Sequence, residues 1–210
     1  MRTVIQIVLF IVAVVLAYFI YQSIQRPIDF DESKKARYDT TIQRLKDIRK
    51  AQLAYKDVYG RFTGSWDTLI DFVEYDSVRN VRKIGELTDS MIEAGISERK
   101  AIDMGLLIRD TIKESVLESL FGEEYDAEQL RYVPVQDTTA EFYLGATVIQ
   151  TGSGIKVPVF EAKAHNNTIL RNLDRQLVIN LNDVARTNEK YPGLKVGSLT
   201  ETINNSGNWE

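Results

Sequence analysis

The chain opens with an apolar run long enough to cross a membrane. Thr3 to Ile24 contains no charged residue, and between Gln6 and Gln22 every side chain is aliphatic or aromatic. As a helix with a rise of 1.5 Å per residue, this run would be about 33 Å long, against roughly 30 Å for the hydrocarbon core of a bilayer. We therefore predict a transmembrane anchor over residues 1–25.

The run differs from a cleavable signal peptide, so we expect it to be retained. A signal peptide has an apolar core of about 7 to 15 residues and then small residues at a cleavage site. This run is longer and ends in the bulky residues Tyr18, Phe19, Tyr21 and Ile24. Gln6 has two interpretations: it contacts a partner helix inside the membrane, or it lies among the headgroups where the span begins.

Composition limits what the rest of the chain can be. About 180 residues follow the anchor, enough for one domain with a core. The absence of cysteine excludes disulfides, and a single histidine, His165, removes most zinc sites and catalytic triads. Residues 34–61 carry nine basic side chains against three acidic ones, whereas residues 62–210 carry fifteen against twenty-four. An acidic head argues against nucleic-acid binding, and we predict none.

A long amphipathic helix is expected after the anchor. Pro27 disfavours helix at the residue before it, so we predict a break near Gln25 and a connector over residues 26–35. From residue 36 to residue 59 apolar and aromatic side chains recur every three or four positions, which predicts a spine helix with one buried face. That face comprises Tyr38, Ile42, Leu45, Ile48, Gln52, Tyr55 and Tyr59. Gly60 would end the helix.

The remaining sequence predicts a mixed head. Ser65 or Thr63 can cap a helix that begins near Trp66, and two short helices are expected over Thr88–Gly95 and Ser97–Gly105. Residues 106–116 fit a strand better than a helix, while residues 177–183 fit either. Strands are predicted at 130–136, 140–152 and 155–164, the last two joined by a hairpin at residues 151–154. The fold class is therefore α+β: an N-terminal transmembrane helix continues into a long amphipathic helix packed on a small antiparallel sheet, with residues 36–210 as a soluble head.

The end of the spine helix and the segment after it resemble the type IV pilin-like proteins, and most closely the pseudopilins of type II secretion. The matching residues cover about a third of the chain: Ala51, Gln52, Tyr55, Tyr59, Gly60, Phe62, Trp66, Leu69 and Phe72. The start of the chain departs from the family pattern, because Met1 to Gln6 contains neither the processing glycine nor the glutamate of the apolar segment.

The resemblance implies a structural function in a bacterial envelope machine, with the anchor in the inner membrane and the head in the periplasm. Counting the cations Arg26, Lys34, Lys35 and Arg37 against Arg2 favours the opposite side, because basic residues tend to stay in the cytoplasm. Expected partners are the lipid bilayer, other membrane proteins bound through the N-terminal helix, and further copies of the chain or other subunits in an oligomer.

No residue in the sequence is a strong candidate for chemistry. His165 is best explained as a loop residue, and the acidic cluster Glu123, Glu124, Asp126 and Glu128 as a solvated loop rather than a calcium site. We therefore predict no enzyme activity, no catalytic residue, no cofactor and no metal. The alternative function is a membrane-tethered periplasmic module that binds a peptide or glycan through Trp66, Tyr143 or Trp209. An envelope hydrolase that uses a carboxylate pair has the least support.

Overall fold

The computed structural model describes residues 2–84, 97–104, 108–135 and 139–210, and it confirms the α+β class. The described chain forms two compact units, the first comprising Met1–Arg49 with Leu130–Glu210 and the second comprising Lys50–Gln129. Along the sequence, the second unit lies between the two segments of the first. The elements are α1 (Arg2–Tyr59), α2 (Trp66–Tyr75), β1 (Ser77–Ile84), α3 (Glu98–Asp103), β2 (Ile108–Ser115), α4 (Val116–Leu120), a 3-10 helix (Ala127–Leu130), β3 (Tyr143–Gln150), β4 (Lys156–His165), α5 (Asn166–Ile169), α6 (Arg175–Thr187) and β5 (Gly193–Gly197).

Helix α1 runs from Arg2 to Tyr59 without the break that the sequence predicted at residues 26–35. Pro27 lies inside the helix, where a proline costs about 3 kcal/mol because it removes one backbone hydrogen bond. Contacts to the rest of the first unit lie on both sides of Pro27. Arg26 forms an ion pair with Asp174, and Phe30 is buried. The anchor and the spine are consequently one rod.

The first unit contains a three-stranded antiparallel sheet in the order β3-β4-β5. Tyr143 pairs with Lys163 at one end of the β3–β4 hairpin, and Gln150 pairs with Lys156 at the other. The predicted hairpin loop at residues 151–154 is confirmed, since the Thr151 N–H donates to the Ile155 carbonyl at 2.9 Å. Pro158 lies in the part of β4 that β5 does not pair, where its missing N–H breaks no ladder.

One face of this sheet is the core of the first unit. Phe160, Ala162 and Ala164 of β4 are buried together with Leu194 and Val196 of β5. Leu45 and Ile48 of α1 are also fully buried, as their place on the predicted spine face requires. Hydrogen bonds from Tyr38 to Asn166 and from Arg49 to Asn205 hold α1 beside the ends of β4 and β5. The packing of the spine on the sheet thus follows from its 3.6-residue pattern.

Close backbone approach fixes the end of β5. Gly197 has a φ of 74°, and a Cβ atom there would lie 2.1 Å from the Phe160 carbonyl oxygen. Only glycine satisfies both constraints.

The predicted strand at residues 130–136 is wrong. The segment begins at the end of the 3-10 helix, and its ladder is limited to an isolated bridge between Tyr132 and Glu141. Val133 N–H donates to the Ala140 carbonyl, but the next residue is Pro134, which has no N–H with which to extend the ladder.

The second unit packs the end of α1 against α2. Of the two residues expected to cap α2, Ser65 and Thr63, the structure has Ser65 as the cap, and Gly60 adopts a φ of 72° directly after α1. Strands β1 and β2 pair antiparallel; the sequence predicted β2 but not β1. Ser97 caps α3 as expected, while the predicted helix Thr88–Gly95 lies outside the described residues.

The residues of the pilin-like resemblance lie together in this second unit. The buried Gln52 donates its Nε2 to the Thr63 carbonyl at 2.7 Å and accepts from the Thr63 N–H at 3.2 Å. Tyr55, Tyr59 and Phe72 form an aromatic cluster with ring centroids 4.7 to 5.9 Å apart. These residues fasten the loop after α1 to the helix, which gives the local motif a structural role in this chain.

Candidate functional site

The N-terminal part of α1 exposes apolar side chains in every direction. Its large apolar residues range from 45% exposed at Val15 to 71% exposed at Phe10. Four consecutive residues of a helix cover nearly its whole circumference, and Leu9, Phe10, Ile11 and Val12 are all exposed. No face of this segment is therefore covered by the described part of the protein.

Within the described residues, one helix is long and apolar enough to cross a membrane, and it is α1. Its most apolar window is entirely unburied, which sets it apart from the core helix of a soluble protein. A signal sequence meets the same criteria of length and composition. Gln6 lies in the first turns of this segment, where both of its interpretations stay open.

Arginine side chains attach the first unit to α1 just beyond the apolar segment. Arg26 Nη2 lies 2.9 Å from Asp174 Oδ2. Arg37 Nη1 donates to the carbonyl oxygens of Ile169 and Arg171 at 3.2 and 2.5 Å. Because guanidinium groups have several fixed donors, these contacts hold the turn between α5 and α6 in one orientation against α1.

A buried asparagine network continues this attachment inward. The Tyr38 hydroxyl donates to Asn166 Oδ1, and Asn166 Nδ2 donates to Asn182 Oδ1 at 2.9 Å. Asn182 Nδ2 then donates to Asn167 Oδ1 at 2.8 Å. Burial raises the pKa of Tyr38, although its hydrogen bond to Asn166 acts in the opposite direction. The network satisfies polar groups that would otherwise be costly to bury.

A cleft of about 370 Å³ opens beside this network. Its lining includes Tyr38, Asn166, Tyr191, Lys195 and Asn208. Asn166 is already engaged with two partners, and Asn208 donates to the Gly193 carbonyl at 2.9 Å. These two asparagine side chains of the cleft therefore serve the fold.

The outer face of the sheet carries a compact group of charged and aromatic side chains. Lys163 Nζ lies 2.5 Å from Glu161 Oε1 and 4.6 Å from the ring centroid of Tyr143. Glu161 is buried, and burial raises the pKa of the neighbouring Tyr191, with the charge of Glu161 adding to the effect. The exposed Tyr143 ring beside an ammonium group is the feature of this face that a ligand could reach.

His165 is the last residue of β4 and caps α5, rather than lying free in a loop. Its Nδ1 accepts from the Asn167 N–H at 3.1 Å, and its ring meets that of Tyr191 edge to face. Burial lowers the pKa of His165, and the positive charge of Arg186 lowers it further. The cap requires an unprotonated Nδ1, so the neutral imidazole suits this position.

His165 should make stability depend on pH. The folded state holds the pKa of His165 below its unfolded value of about 6.5, so on acidification the unfolded chain takes up the proton first. Stability is fully present above that unfolded pKa and declines as the pH falls below it. His165→Gln, which keeps a side-chain acceptor, should flatten the change in denaturation midpoint between pH 7.5 and pH 5.5. Because the chain has one histidine, equal slopes for the variant and the parent would contradict the assignment.

The acidic cluster after α4 lies in a turn and contributes to local structure. Asp126 Oδ1 accepts from the Glu128 N–H at 3.1 Å at the start of the 3-10 helix, and Glu123 and Glu124 are exposed. Among the residues that the structure describes, no group of three or more His, Asp or Glu side chains is placed to hold a metal ion.

The three aromatic residues considered for a binding groove have different surroundings. Trp66 is buried in the second unit, where it serves the core. In the first unit Tyr143 is exposed, and Trp209 is half-buried with its ring against Gly207. Trp66 is therefore not accessible to a peptide or glycan ligand.

Sequence reasoning missed the contacts that attach the first unit to α1. Arg37 and Ile169 are separated by more than a hundred residues, and the sequence around neither residue indicates that they are in contact.

Comparison with protein-family models, with curated proteins and with solved structures finds no significant match.

Proposed function

We propose that the chain is a single-pass, non-enzymatic membrane protein that serves as a pseudopilin-like component of a bacterial envelope assembly. In this proposal the apolar N-terminal segment of α1 is anchored in the inner membrane, and the rest of the chain lies in the periplasm. The observation that carries it is α1 itself. An apolar segment exposed on all sides continues without interruption into the helix on which the first unit packs.

The side chains best suited to chemistry already have structural partners, which favours a binding role over catalysis. Glu161 is paired with Lys163, His165 caps α5, and Asn166 is bonded to Tyr38 and Asn182. A reactive group would need to be available to a substrate. The exposed apolar surface of α1, by contrast, is available to lipid and to other transmembrane helices.

Cysteine crosslinking in the membrane tests the proposed assembly. The chain has no native cysteine, so Ile11, Val12, Ala13 and Val14 can each be replaced by a single cysteine in the full-length protein. A specific helix partner should give crosslinks at some positions and not at others, with a helical period. The control is the same substitution at the exposed Lys46.

Purification in mild detergent completes this test. The protein should co-elute with other membrane subunits or with further copies of itself. Elution as a monomer, together with no crosslink at any of the four positions, would contradict an assembly. A topology reporter fused after Glu210 should report the periplasm, and a cytoplasmic signal would remove the pilin-like part of the proposal.

A tethered binding module is the second candidate, and the exposed Tyr143 favours it. Lys163 Nζ lies 4.6 Å from the centroid of its ring, so an exposed aromatic ring and an ammonium group lie side by side on this face. If this function is correct, Tyr143→Ala should abolish binding in a glycan and peptide screen while the co-elution of membrane subunits stays unchanged.

A further inference from the structure

The Asp174 end of the turn between α5 and α6 lies at the level of the lipid headgroups if α1 spans the membrane, and this placement rests on the proposed function. Arg26 follows Ile24, the last residue of the uncharged apolar run, by two positions, or about 3 Å along a helix. Its guanidinium contacts Asp174, the residue that caps α6. The N-terminus of α6 is therefore next to the end of the membrane-spanning segment.

This turn is held rigidly. Asn172 adopts a φ of 66°, and the Leu173 N–H donates to the Leu170 carbonyl at 3.1 Å. Asp174 Oδ1 accepts from the N–H groups of Gln176 and Leu177 at 3.0 and 3.3 Å. Together with the contacts from Arg26 and Arg37, these bonds fix the turn on α1.

Two arginine side chains of this turn project into solvent with their charges uncompensated. Arg171 and Arg175 are exposed, and neither guanidinium has an ion-pair or hydrogen-bond partner in the part of the chain that the structure describes. The nearest acid along the chain, Asp174, is already engaged with Arg26 and with the start of α6. The turn therefore presents net positive charge.

The neighbouring acids on α1 are also engaged. Asp29 accepts from Gln25 Nε2 at 2.8 Å, and Asp31 lies 2.6 Å from Lys34 Nζ. Glu32 is exposed and adds one negative charge to this stretch of α1. Because Asp29 and Asp31 already have partners on α1, Arg171 and Arg175 are available to an anion from outside the protein.

We propose that Arg171 and Arg175 bind the phosphate groups of anionic phospholipids, so that the first unit docks on the membrane surface beside its own anchor. Guanidinium groups bind phosphate through two parallel hydrogen bonds, and cations near an anionic leaflet are attracted to it. The partner is the bilayer because the turn is joined to the end of the apolar segment by the contact between Arg26 and Asp174. Docking would limit rotation of the first unit about α1.

Fluorescence quenching in vesicles tests this proposal on the full-length chain. Gln176→Cys, labelled with a fluorophore, reports on the turn, and headgroup-labelled nitroxide lipid is the quencher. Gln43→Cys is the matched control, since it is also exposed and lies 17 residues beyond Arg26, or about 26 Å farther along α1. Vesicles of phosphatidylcholine with and without phosphatidylglycerol supply the two surfaces.

Quenching at residue 176 should increase when phosphatidylglycerol is present and should fall at high salt, where screening is strong. Each cation near an anionic surface should raise the ratio of docked to undocked chains roughly fivefold. Arg171→Gln with Arg175→Gln should therefore lower that ratio by about 30-fold. Arg186→Gln with Lys156→Gln removes the same charge elsewhere on the first unit and should change little. Quenching at residue 43 should be low on both surfaces.

Quenching at residue 176 that is equal on the two surfaces, or unchanged in the Arg171→Gln and Arg175→Gln variant, would overturn headgroup binding. A fluorophore at Leu16→Cys, tested with a nitroxide on the lipid acyl chain, separates this outcome from failure of the anchor. Quenching at residue 16 without dependence on phosphatidylglycerol at residue 176 overturns headgroup binding alone. No quenching at residue 16 overturns the anchor, and the headgroup proposal with it.

Discussion

Replacing both Val12 and Val15 by arginine should release the chain from the membrane fraction. The two residues lie near the middle of the apolar segment, and each is nearly half exposed. In the centre of a transmembrane helix an arginine costs about 2.5 to 3.5 kcal/mol, whereas valine is slightly favourable. Two substitutions thus cost roughly 6 kcal/mol, which is comparable to the total favourable contribution of the aliphatic residues in the span. The measurement is the fraction of protein that stays in the pellet after alkaline carbonate extraction.

Two controls identify the membrane as the cause. Val12→Leu with Val15→Leu keeps the segment apolar and should leave the protein in the pellet. Ile28→Arg places a single cation on α1 just outside the apolar segment, at an exposed residue, and should also have little effect. A parent chain that already appears in the supernatant, or whose intact mass shows that it begins after Ile24, would contradict anchoring.

The sequence was most informative where the deciding contacts are local. Ser97 was identified as a helix cap, Ser65 as one of two alternatives for another, and Gly60 as the residue that ends α1, because a cap involves neighbours within three or four positions. The hairpin loop at residues 151–154 was predictable for the same reason. The buried face of the spine was likewise predicted through Leu45 and Ile48.

The predictions that failed depend on partners far away in the chain. The connector at residues 26–35 was expected from Pro27 alone, whereas the helix continues through this stretch, where Arg26 forms an ion pair with Asp174 and Phe30 is buried. Strand β1 contains three basic residues and has little apolar alternation, so its pairing with β2 cannot be inferred from its own composition. The ambiguous residues 177–183 became helix, because Asp174 caps α6 and Asn182 reaches the buried asparagine network.

The attachment of the first unit to α1 could not be predicted from the sequence for the same reason. An arginine on a predicted helix is compatible with a solvated face, and residues 34–61 contain nine basic side chains. Arg37 is distinguished from the others by the carbonyl oxygens of Ile169 and Arg171, which the fold brings to it. A sequence pattern can predict which face of α1 is buried, but the partner of each polar side chain depends on tertiary structure.

Ile48→Ala should destabilise the first unit by about 2 to 5 kcal/mol, the range for removing a large aliphatic side chain from a core. Ile48 is fully buried on α1, in the same unit as the buried Phe160 and Val196 of the sheet. The loss combines the transfer free energy of the deleted carbons with the cavity that remains. Denaturation of the full-length protein in detergent, followed by circular dichroism, measures the change.

Ile179→Ala is the matched control for this prediction, because it deletes the same atoms from a helix of the same unit at a position that is 40% exposed. It should cost less than about 1 kcal/mol, since little apolar surface is returned to water. Equal effects of the two substitutions would mean that the spine is not packed on the sheet. Without that packing, the first unit would be joined to the anchor only by the covalent chain. The turn between α5 and α6 would then have no fixed position relative to the membrane. The difference between Ile48→Ala and Ile179→Ala therefore tests the rigidity on which the docking of Arg171 and Arg175 depends.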